Sequence, residues 1–125
     1  MSRTAVAAAE TSPAIAPFSA AVSGEPTLFI SGQVGLHPGT GELSGDDAAG
    51  QLRQALSNLG EVLRAAGKSE ADVLRIGLYL TDMADFAAVN EVYADFFSTP
   101  YPARTAIAVA ALPLGARVEV DAVVG

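Results

Sequence analysis

Apolar residues recur at helical spacing in two segments of this chain. In the first segment, the recurring apolar positions are Ala48, Leu52, Ala55, Leu56, Leu59, Val62, Leu63 and Ala66. Asp46 or Asp47 can cap the start of this helix, and Gly67 stands where a left-handed residue commonly ends one. A second helix is predicted over about 84–97, with an apolar stripe made of Phe86, Val89, Tyr93, Phe96 and Phe97.

Strand patterns surround these two helices. They fall at about 19–22, 27–34, 73–80, 104–111 and 117–124. Strands, helix, strand, helix and two further strands predict an α+β fold in which both helices cover one face of a sheet. Because no repeat or linker divides the sequence, residues 1–125 are expected to form a single domain.

The other sheet face is expected to be unusually apolar. In the strand at 73–80, four leucine and isoleucine positions are assigned to the helix side: Leu74, Ile76, Leu78 and Leu80. Three positions are assigned to the uncovered face: Val73, Gly77 and Tyr79. The small-residue face of the next strand is assigned there as well: Arg104, Ala106, Ala108 and Ala110. A face of this kind predicts burial against another subunit.

Charge and composition then narrow the function. The chain has 14 acidic and 7 basic residues, a net charge of -7, and no run of lysine or arginine. It lacks the basic surface that nucleic acids require, so RNA or DNA is not expected as a partner. No apolar stretch approaches the roughly 20 residues of a membrane span, and residues 1–10 lack a signal-peptide pattern. These features, with the absence of cysteine, predict a cytoplasmic protein without membrane contact.

Several kinds of chemistry lack the residues that they need. The single histidine, His37, lies in a Pro/Gly turn, so neither a histidine metal cluster nor a Ser-His-Asp relay is expected. The single lysine, Lys68, follows a helix end and is interpreted as a surface charge. Without cysteine or a phosphate-binding glycine loop, no metal and no cofactor are predicted.

Three polar residues stand out against apolar surroundings. Asn90 lies on the stripe of the second helix and either ties down a loop backbone or faces a ligand. Arg104 begins a strand whose same-face neighbours are alanines; it suits a carboxylate ligand, or an ion pair within or between chains. Glu119 lies among valines, although Arg117 and Asp121 share its face, so this face is either solvated or functional.

Motifs spread over nearly the whole chain resemble those of the Rid (reactive intermediate deaminase) family. The matching segments are Ala14 to Ser19 (AIAPFS), Ile30 to Gln33 (ISGQ), Pro38 to Leu43 (PGTGEL), Gln51 with Asn58, Val89 to Tyr93 (VNEVY), Pro102 to Thr105 (PART) and Val118 to Val120 (VEV). Each match alone is weak, but all seven occur in order. The chain is therefore identified as a member of this family by resemblance.

The resemblance implies a chorismate-mutase-like fold with a mixed sheet, a homotrimer, and three sites in the clefts between subunits. It implies that Arg104 binds a substrate carboxylate and that Glu119 positions or activates the hydrolytic water. Five further positions are implied to contact substrate: Phe18, Ser31, Gly32, Asn90 and, through its backbone, Ala106. The implied reaction is the cofactor-free hydrolysis of 2-aminoacrylate and its imino tautomer to a 2-keto acid and ammonia.

The sequence also departs from the family pattern. Phe18 replaces a tyrosine, and Ala106 replaces a frequent cysteine. Loss of the phenol removes a hydrogen-bonding group from the implied pocket. Two alternatives therefore stay open: a non-catalytic trimer that binds small carboxylates or amino acids, and a pathway-specific relative that acts on another imine.

Overall fold

Six β-strands and two α-helices make up the described part of the chain. The computed structural model describes residues 3–6 and 16–125. The strands are β1 (Thr4–Val6), β2 (Ala21–Gly24), β3 (Thr27–Val34), β4 (Val73–Leu80), β5 (Ala103–Ala108) and β6 (Val118–Val124). The helices are α1 (Ala48–Ala65) and α2 (Phe86–Phe96).

All six strands belong to one mixed sheet. Its strand order is β1-β2-β3-β6-β4-β5, with β4 and β5 parallel and every other neighbouring pair antiparallel. The parallel pair is possible because α2 crosses over between β4 and β5. The predicted α+β class with a mixed sheet and two helices is confirmed, and β1 is an addition that the sequence pattern did not predict.

Helix α1 has the ends that its sequence predicts. The side chain of Asp47 accepts a hydrogen bond from the Gly50 amide at 2.9 Å, which satisfies one of the free N–H groups of the first turn. At the other end, Gly67 has φ +72°, and the Lys68 amide donates to the Leu63 carbonyl at 2.8 Å. This glycine-dependent turn closes the helix.

The core lies between the helices and one face of the sheet. Its fully buried members include Leu52, Leu56, Leu59, Leu63, Ile76, Leu78, Leu80, Val89, Val118 and Val120. The assignment of Leu74 to the helix side is wrong, because Leu74 is 58% exposed whereas Val73 is buried. The pairing of β4 with β6 shifts register between Val73 and Arg75, and this bulge reverses the alternation at the start of the strand.

The assignment of the alanine face of β5 to the uncovered side is also wrong. Arg104 pairs in register with Ile76, and Ala106 with Leu78, so both side chains lie on the helix side of the sheet. Ala106 packs against the core, while Ala110 lies beyond the end of the strand. The uncovered face instead carries the alternate residues of β5, Thr105 and Ile107.

The uncovered face, called the open face below, is partly apolar and partly polar. Phe29 and Ile107 lie on it with 48% and 45% of their surface exposed. Tyr79, Glu119 and Asp121 occupy its centre, on β4 and β6. Within residues 3–6 and 16–125, no helix is long and apolar enough to cross a membrane.

Candidate active site

Arg104 lies where β5 passes beside α2, and its side chain is oriented by three groups of that helix. Its Nη1 donates to Asn90 Oδ1 at 2.9 Å. The guanidinium carbon lies 4.7 Å from the centroid of the Tyr93 ring and 5.6 Å from that of Phe86, within the range of cation–π attraction. We call these four residues the arginine cluster.

The arginine cluster leaves most guanidinium donors available. A guanidinium has five N–H groups, and Asn90 accepts from one of them. Among the described residues, the one ion pair within 4 Å joins Arg64 and Glu61, so no described carboxylate neutralises Arg104. A fixed, half-buried and unneutralised guanidinium is suited to a bidentate contact with a carboxylate.

Asn90 accepts a hydrogen bond from Arg104, and within residues 3–6 and 16–125 no hydrogen bond joins it to a loop backbone. It lies on the side of α2 that faces β5, between the aromatic residues Phe86 and Tyr93. Tyr93 is 94% buried, and this burial raises the pKa of its hydroxyl, while the charge of Arg104 acts in the opposite direction. The ring is therefore a neutral platform beneath the guanidinium at neutral pH.

Glu119 occupies the open face of β6 and lies across Gly32. A Cβ built on Gly32 would overlap the Glu119 carboxylate, so the absence of a side chain at position 32 makes room for it. Gly32 belongs to an irregular stretch of β3, where the pairing with β6 shifts between Ile30 and Gln33. The pKa of Glu119 is raised, mainly by burial and to a smaller extent by the negative charge of Asp121.

Two more residues surround the Glu119 carboxylate on the open face. Tyr79 pairs in register with Glu119 across β4 and β6, and Asp121 follows two residues later on the same face. Asp121 accepts hydrogen bonds from the Tyr79 hydroxyl at 3.0 Å and from the Gly77 amide at 3.1 Å. Glu119, Gly32, Tyr79, Gly77 and Asp121 are called the glutamate cluster below.

Ser31 connects the glutamate cluster to the segment that carries Phe18. Its hydroxyl donates to the Ser19 carbonyl at 2.6 Å, and its amide donates to the Ala20 carbonyl at 2.9 Å. These bonds hold the segment beside Ser31 and Gly32, with the Phe18 ring half exposed. Ala14 and Ile15, the start of the same motif, lie outside the described residues.

The seven residues predicted for the site are thus divided between the two sides of the sheet. Arg104, Asn90 and Ala106 lie on the helix side, whereas Glu119 lies with Gly32 on the open face. One chain therefore does not bring Arg104 and Glu119 together, since the sheet itself separates them.

Two concave surfaces lie elsewhere on the described residues and do not include those predicted for the site. A pocket of about 110 Å³ is lined by Glu70, Ala71, Val73, Ser98, Thr99, Pro100 and Pro102. A groove of about 280 Å³ between the helices is lined by Arg53, Leu56, Val92, Asp95 and Phe96. No three His, Cys, Asp or Glu side chains among the described residues are grouped to hold a metal ion.

Sequence reasoning missed four contributors to the two clusters: Phe86, Tyr93, Tyr79 and Asp121. The aromatic pair was assigned to the core stripe of α2, and only the position of Arg104 on the helix side gives it another role. Asp121 was noted as a same-face neighbour that argued for a solvated surface. Its spacing of two residues from Glu119 was nevertheless the available signal.

Comparison with known proteins gives consistent matches along the chain. The family model described as Endoribonuclease L-PSP matches residues 9–125. The human protein named 2-iminobutanoate/2-iminopropanoate deaminase is 43% identical over 97% of this chain and 88% of its own. The mouse protein of that name is 48% identical over 88% of this chain and 82% of its own. The crystal structure of RidA from the Antarctic bacterium Psychrobacter is 39% identical, covers 98% of both chains and has a TM-score of 0.93.

Proposed function

Because the chain belongs to the Rid family, whose model is described as Endoribonuclease L-PSP, we propose that it is an imine deaminase. It hydrolyses small 2-imino and 2-enamino acids, of the 2-aminoacrylate and 2-iminopropanoate type, to 2-keto acids and ammonia. Relatives named for this activity share 43–48% of their residues with the chain over most of its length.

The observation that carries this proposal is the prepared guanidinium of Arg104. Every substrate of this class has a carboxylate next to the reacting carbon. Arg104, held by Asn90 at 2.9 Å and supported by Tyr93, offers a planar pair of donors to that carboxylate. Binding the carboxylate fixes the position of the adjacent C=N bond, and orientation is the main requirement of a hydrolysis that already proceeds in water.

Glu119 handles the protons of this reaction. A water oxygen bonds to the imine carbon, the C=N π electrons move to nitrogen, and the water gives a proton to the Glu119 carboxylate. That proton passes to the nitrogen and gives a carbinolamine. Glu119 then takes the carbinolamine hydroxyl proton and delivers it to the same nitrogen, the C–N bond breaks with its electron pair leaving on ammonia, and the C–O bond becomes the carbonyl of the keto acid. A raised pKa brings Glu119 closer to the operating pH, where proton acceptance and return are both feasible.

The complete site needs two copies of the chain. Since Arg104 and Glu119 lie on opposite sides of one sheet, the arginine cluster of one subunit meets the glutamate cluster of the next. Such a contact joins two different surfaces, and repeating it around an axis closes a ring rather than a two-fold dimer. We infer a homotrimer with three sites, in which Phe18, Ser31, Gly32, Asn90 and the Ala106 backbone surround the substrate.

The partner surface also supports assembly and argues against other partners. Phe29 and Ile107 leave nearly half of their surface exposed on the open face, and a neighbouring subunit would cover them. The net charge of -7 is opposed to RNA binding, despite the family's descriptive name. We place the protein in the cytoplasm, with small imino acids as substrates and no nucleic acid or membrane as partner.

The proposal is tested by generating 2-aminoacrylate from serine with a separate lyase and following release of the keto acid. Addition of the purified protein is expected to accelerate release, and light scattering is expected to give three times the 12.7 kDa of one chain. A protein that binds pyruvate without accelerating release would be a carboxylate-binding protein instead. A monomer at micromolar concentration would contradict the site between subunits.

A further inference from the structure

The Asp121 carboxylate is fixed on the open face by two donors from the neighbouring strand. Oδ1 accepts from the Gly77 amide at 3.1 Å, and Oδ2 accepts from the Tyr79 hydroxyl at 3.0 Å. A Cβ at position 77 would overlap Oδ1, so glycine is required for this approach. Both carboxylate oxygens are therefore used to hold one orientation, which an exposed aspartate does not ordinarily have.

This fixed charge lies close to Glu119. Residues i and i+2 of a strand point to the same face, with their Cα atoms about 6.7 Å apart. Tyr79, which holds Asp121, is also the register partner of Glu119 on β4. The hydrogen bond to Asp121 is the largest cause that raises the pKa of Tyr79, ahead of burial, so the phenol remains a donor at neutral pH.

Within one chain, the other described charged groups around Glu119 do not offset this negative charge, and in the proposed trimer the Arg104 of the neighbouring subunit is present equally in wild type and in the variants compared below. On its own strand, Arg117 comes just before β6 and is exposed, and no ion pair joins it to Glu119 among the described residues. On β4, Arg75 is directed to Thr105, to whose hydroxyl it donates at 3.1 Å. On β3, the neighbours are Gly32 and Val34, which do not titrate.

We propose that Asp121, held by Tyr79 and the Gly77 amide, is a positioning residue that sets the proton affinity of Glu119. Its nearby negative charge disfavours a second carboxylate, which keeps the proton on Glu119 to higher pH than burial alone would. The pKa of Glu119 is raised by burial first and by Asp121 second, in agreement with this geometry. The inference rests on the proposed function for its catalytic consequence, but the electrostatic coupling exists independently of any substrate.

The consequence for the reaction is a glutamate matched to both of its proton transfers. A carboxylate with an ordinary proton affinity accepts a proton from water poorly and returns it readily. Raising its affinity improves acceptance, which is the first step of the hydrolysis described above. Replacing Asp121 with a neutral residue is therefore expected to lower activity near neutral pH.

The test compares Asp121→Asn with wild type in the assembled protein. Asparagine preserves the shape of the side chain and can still accept from the Gly77 amide, so the fold is expected to survive; Asp121→Ser is the second neutral variant if it does not. Asp46→Asn, in the exposed loop before α1, removes the same unit of charge away from the sheet and is the matched control. The titration of Glu119 is followed by carbon NMR of its side-chain carboxyl and by the pH dependence of kcat/KM.

In Asp121→Asn, we expect the midpoint of the Glu119 NMR titration and the acid limb of the kcat/KM profile to move to lower pH. In Asp46→Asn, we expect both to stay in place. With the dielectric constant of water and the two carboxylates as far apart as their Cα atoms, Coulomb's law predicts about a threefold change in the proton affinity of Glu119 at low ionic strength. An unchanged NMR titration in the neutral variants overturns the inference, whatever their activity. A moved titration in a protein that does not hydrolyse imines contradicts the proposed function and leaves the coupling standing.

Discussion

The Nη1 atom of Arg104 donates to Oδ1 of Asn90 at 2.9 Å, and this bond joins an edge strand to the helix that covers it. The bond turns one side of the guanidinium toward α2, where Tyr93 and Phe86 support it. Among the residues that the structure describes, no other group accepts from its remaining N–H donors, which can therefore bind a carboxylate. This hydrogen bond explains why an asparagine occupies an otherwise apolar stripe of α2.

Arg104→Ala is expected to lose roughly 30- to several-thousand-fold in kcat/KM, since removing one partner of a buried charged pair typically costs about 2–5 kcal/mol. Arg104→Lys is expected to be impaired less, because lysine keeps the charge but not the planar pair of donors. Steady-state kinetics measures both. Arg53→Ala, an exposed arginine in the groove between the helices, is the control. A trimeric Arg104→Ala variant with an unchanged Tm and full activity would remove Arg104 from the site.

Glu119→Gln is expected to lower kcat while leaving the Kd for pyruvate nearly unchanged, because the amide has the same shape but accepts protons poorly. Its Tm at neutral pH is expected to equal or exceed that of wild type. The folded-state pKa of Glu119 is raised, so its ionisation costs stability as pH rises through that value, and glutamine removes the cost. Glu25→Gln, in an exposed turn, is the control; unchanged turnover in Glu119→Gln would make the glutamate a surface residue.

Gly32→Ala is expected to reduce kcat as strongly as Glu119→Gln, because the new Cβ would displace the Glu119 carboxylate. The displaced atoms are at the end of a flexible side chain, so the loss of stability is expected to be small. Gly39→Ala, where a Cβ meets open space, is the matched control. Comparable activity in the two alanine variants would show that the position of Glu119 over Gly32 is not needed.

Because position 18 is phenylalanine, the protein is expected to have a higher kcat/KM for imino acids with apolar side chains than for the one derived from serine. Phe18 precedes Ser19, whose carbonyl accepts from the Ser31 hydroxyl, and its half-exposed ring lacks the hydroxyl that a tyrosine would bring. Phe18→Tyr should narrow the ratio of kcat/KM between a branched and a small substrate, whereas Phe18→Leu should retain it. A ratio that ignores both substitutions would mean that residue 18 does not contact the substrate side chain.

Alternation in the sequence indicates which residues of β5 and β6 share a strand face, but it does not establish which of the two faces meets the helices. The bounds of β3 and β4 were predicted fully, and the caps of α1 follow from its local sequence. The sequence analysis assigns Arg104 to the wrong side of the sheet. A strand face made of alanines can pack either against the edge of the core or against another subunit, and the pattern does not distinguish the two. Strand β1 was missed because three residues without strong alternation are stabilised only by pairing with β2.

The site residues were predicted from the resemblance to a family, but their arrangement in space could not be predicted from the sequence. Local pattern gives no indication that Leu74 lies in a bulge, or that Gly77 admits the Asp121 carboxylate from another strand. The contact between Gly77 and Asp121, for example, joins positions 44 residues apart. Such relationships depend on sheet register, which is fixed by the whole fold rather than by neighbouring residues.

The most direct test of a site shared between copies is to mix two inactive variants, Arg104→Ala and Glu119→Gln. After subunit exchange, verified by native mass spectrometry, some contacts join an intact Arg104 from one chain to an intact Glu119 from its neighbour. For random mixing in equal amounts, we expect recovery to about one quarter of wild-type activity, since each of the two chains at a site must be of the right kind. Exchanged trimers that remain as inactive as the separate variants would contradict a site completed by Arg104 and Glu119 from different subunits.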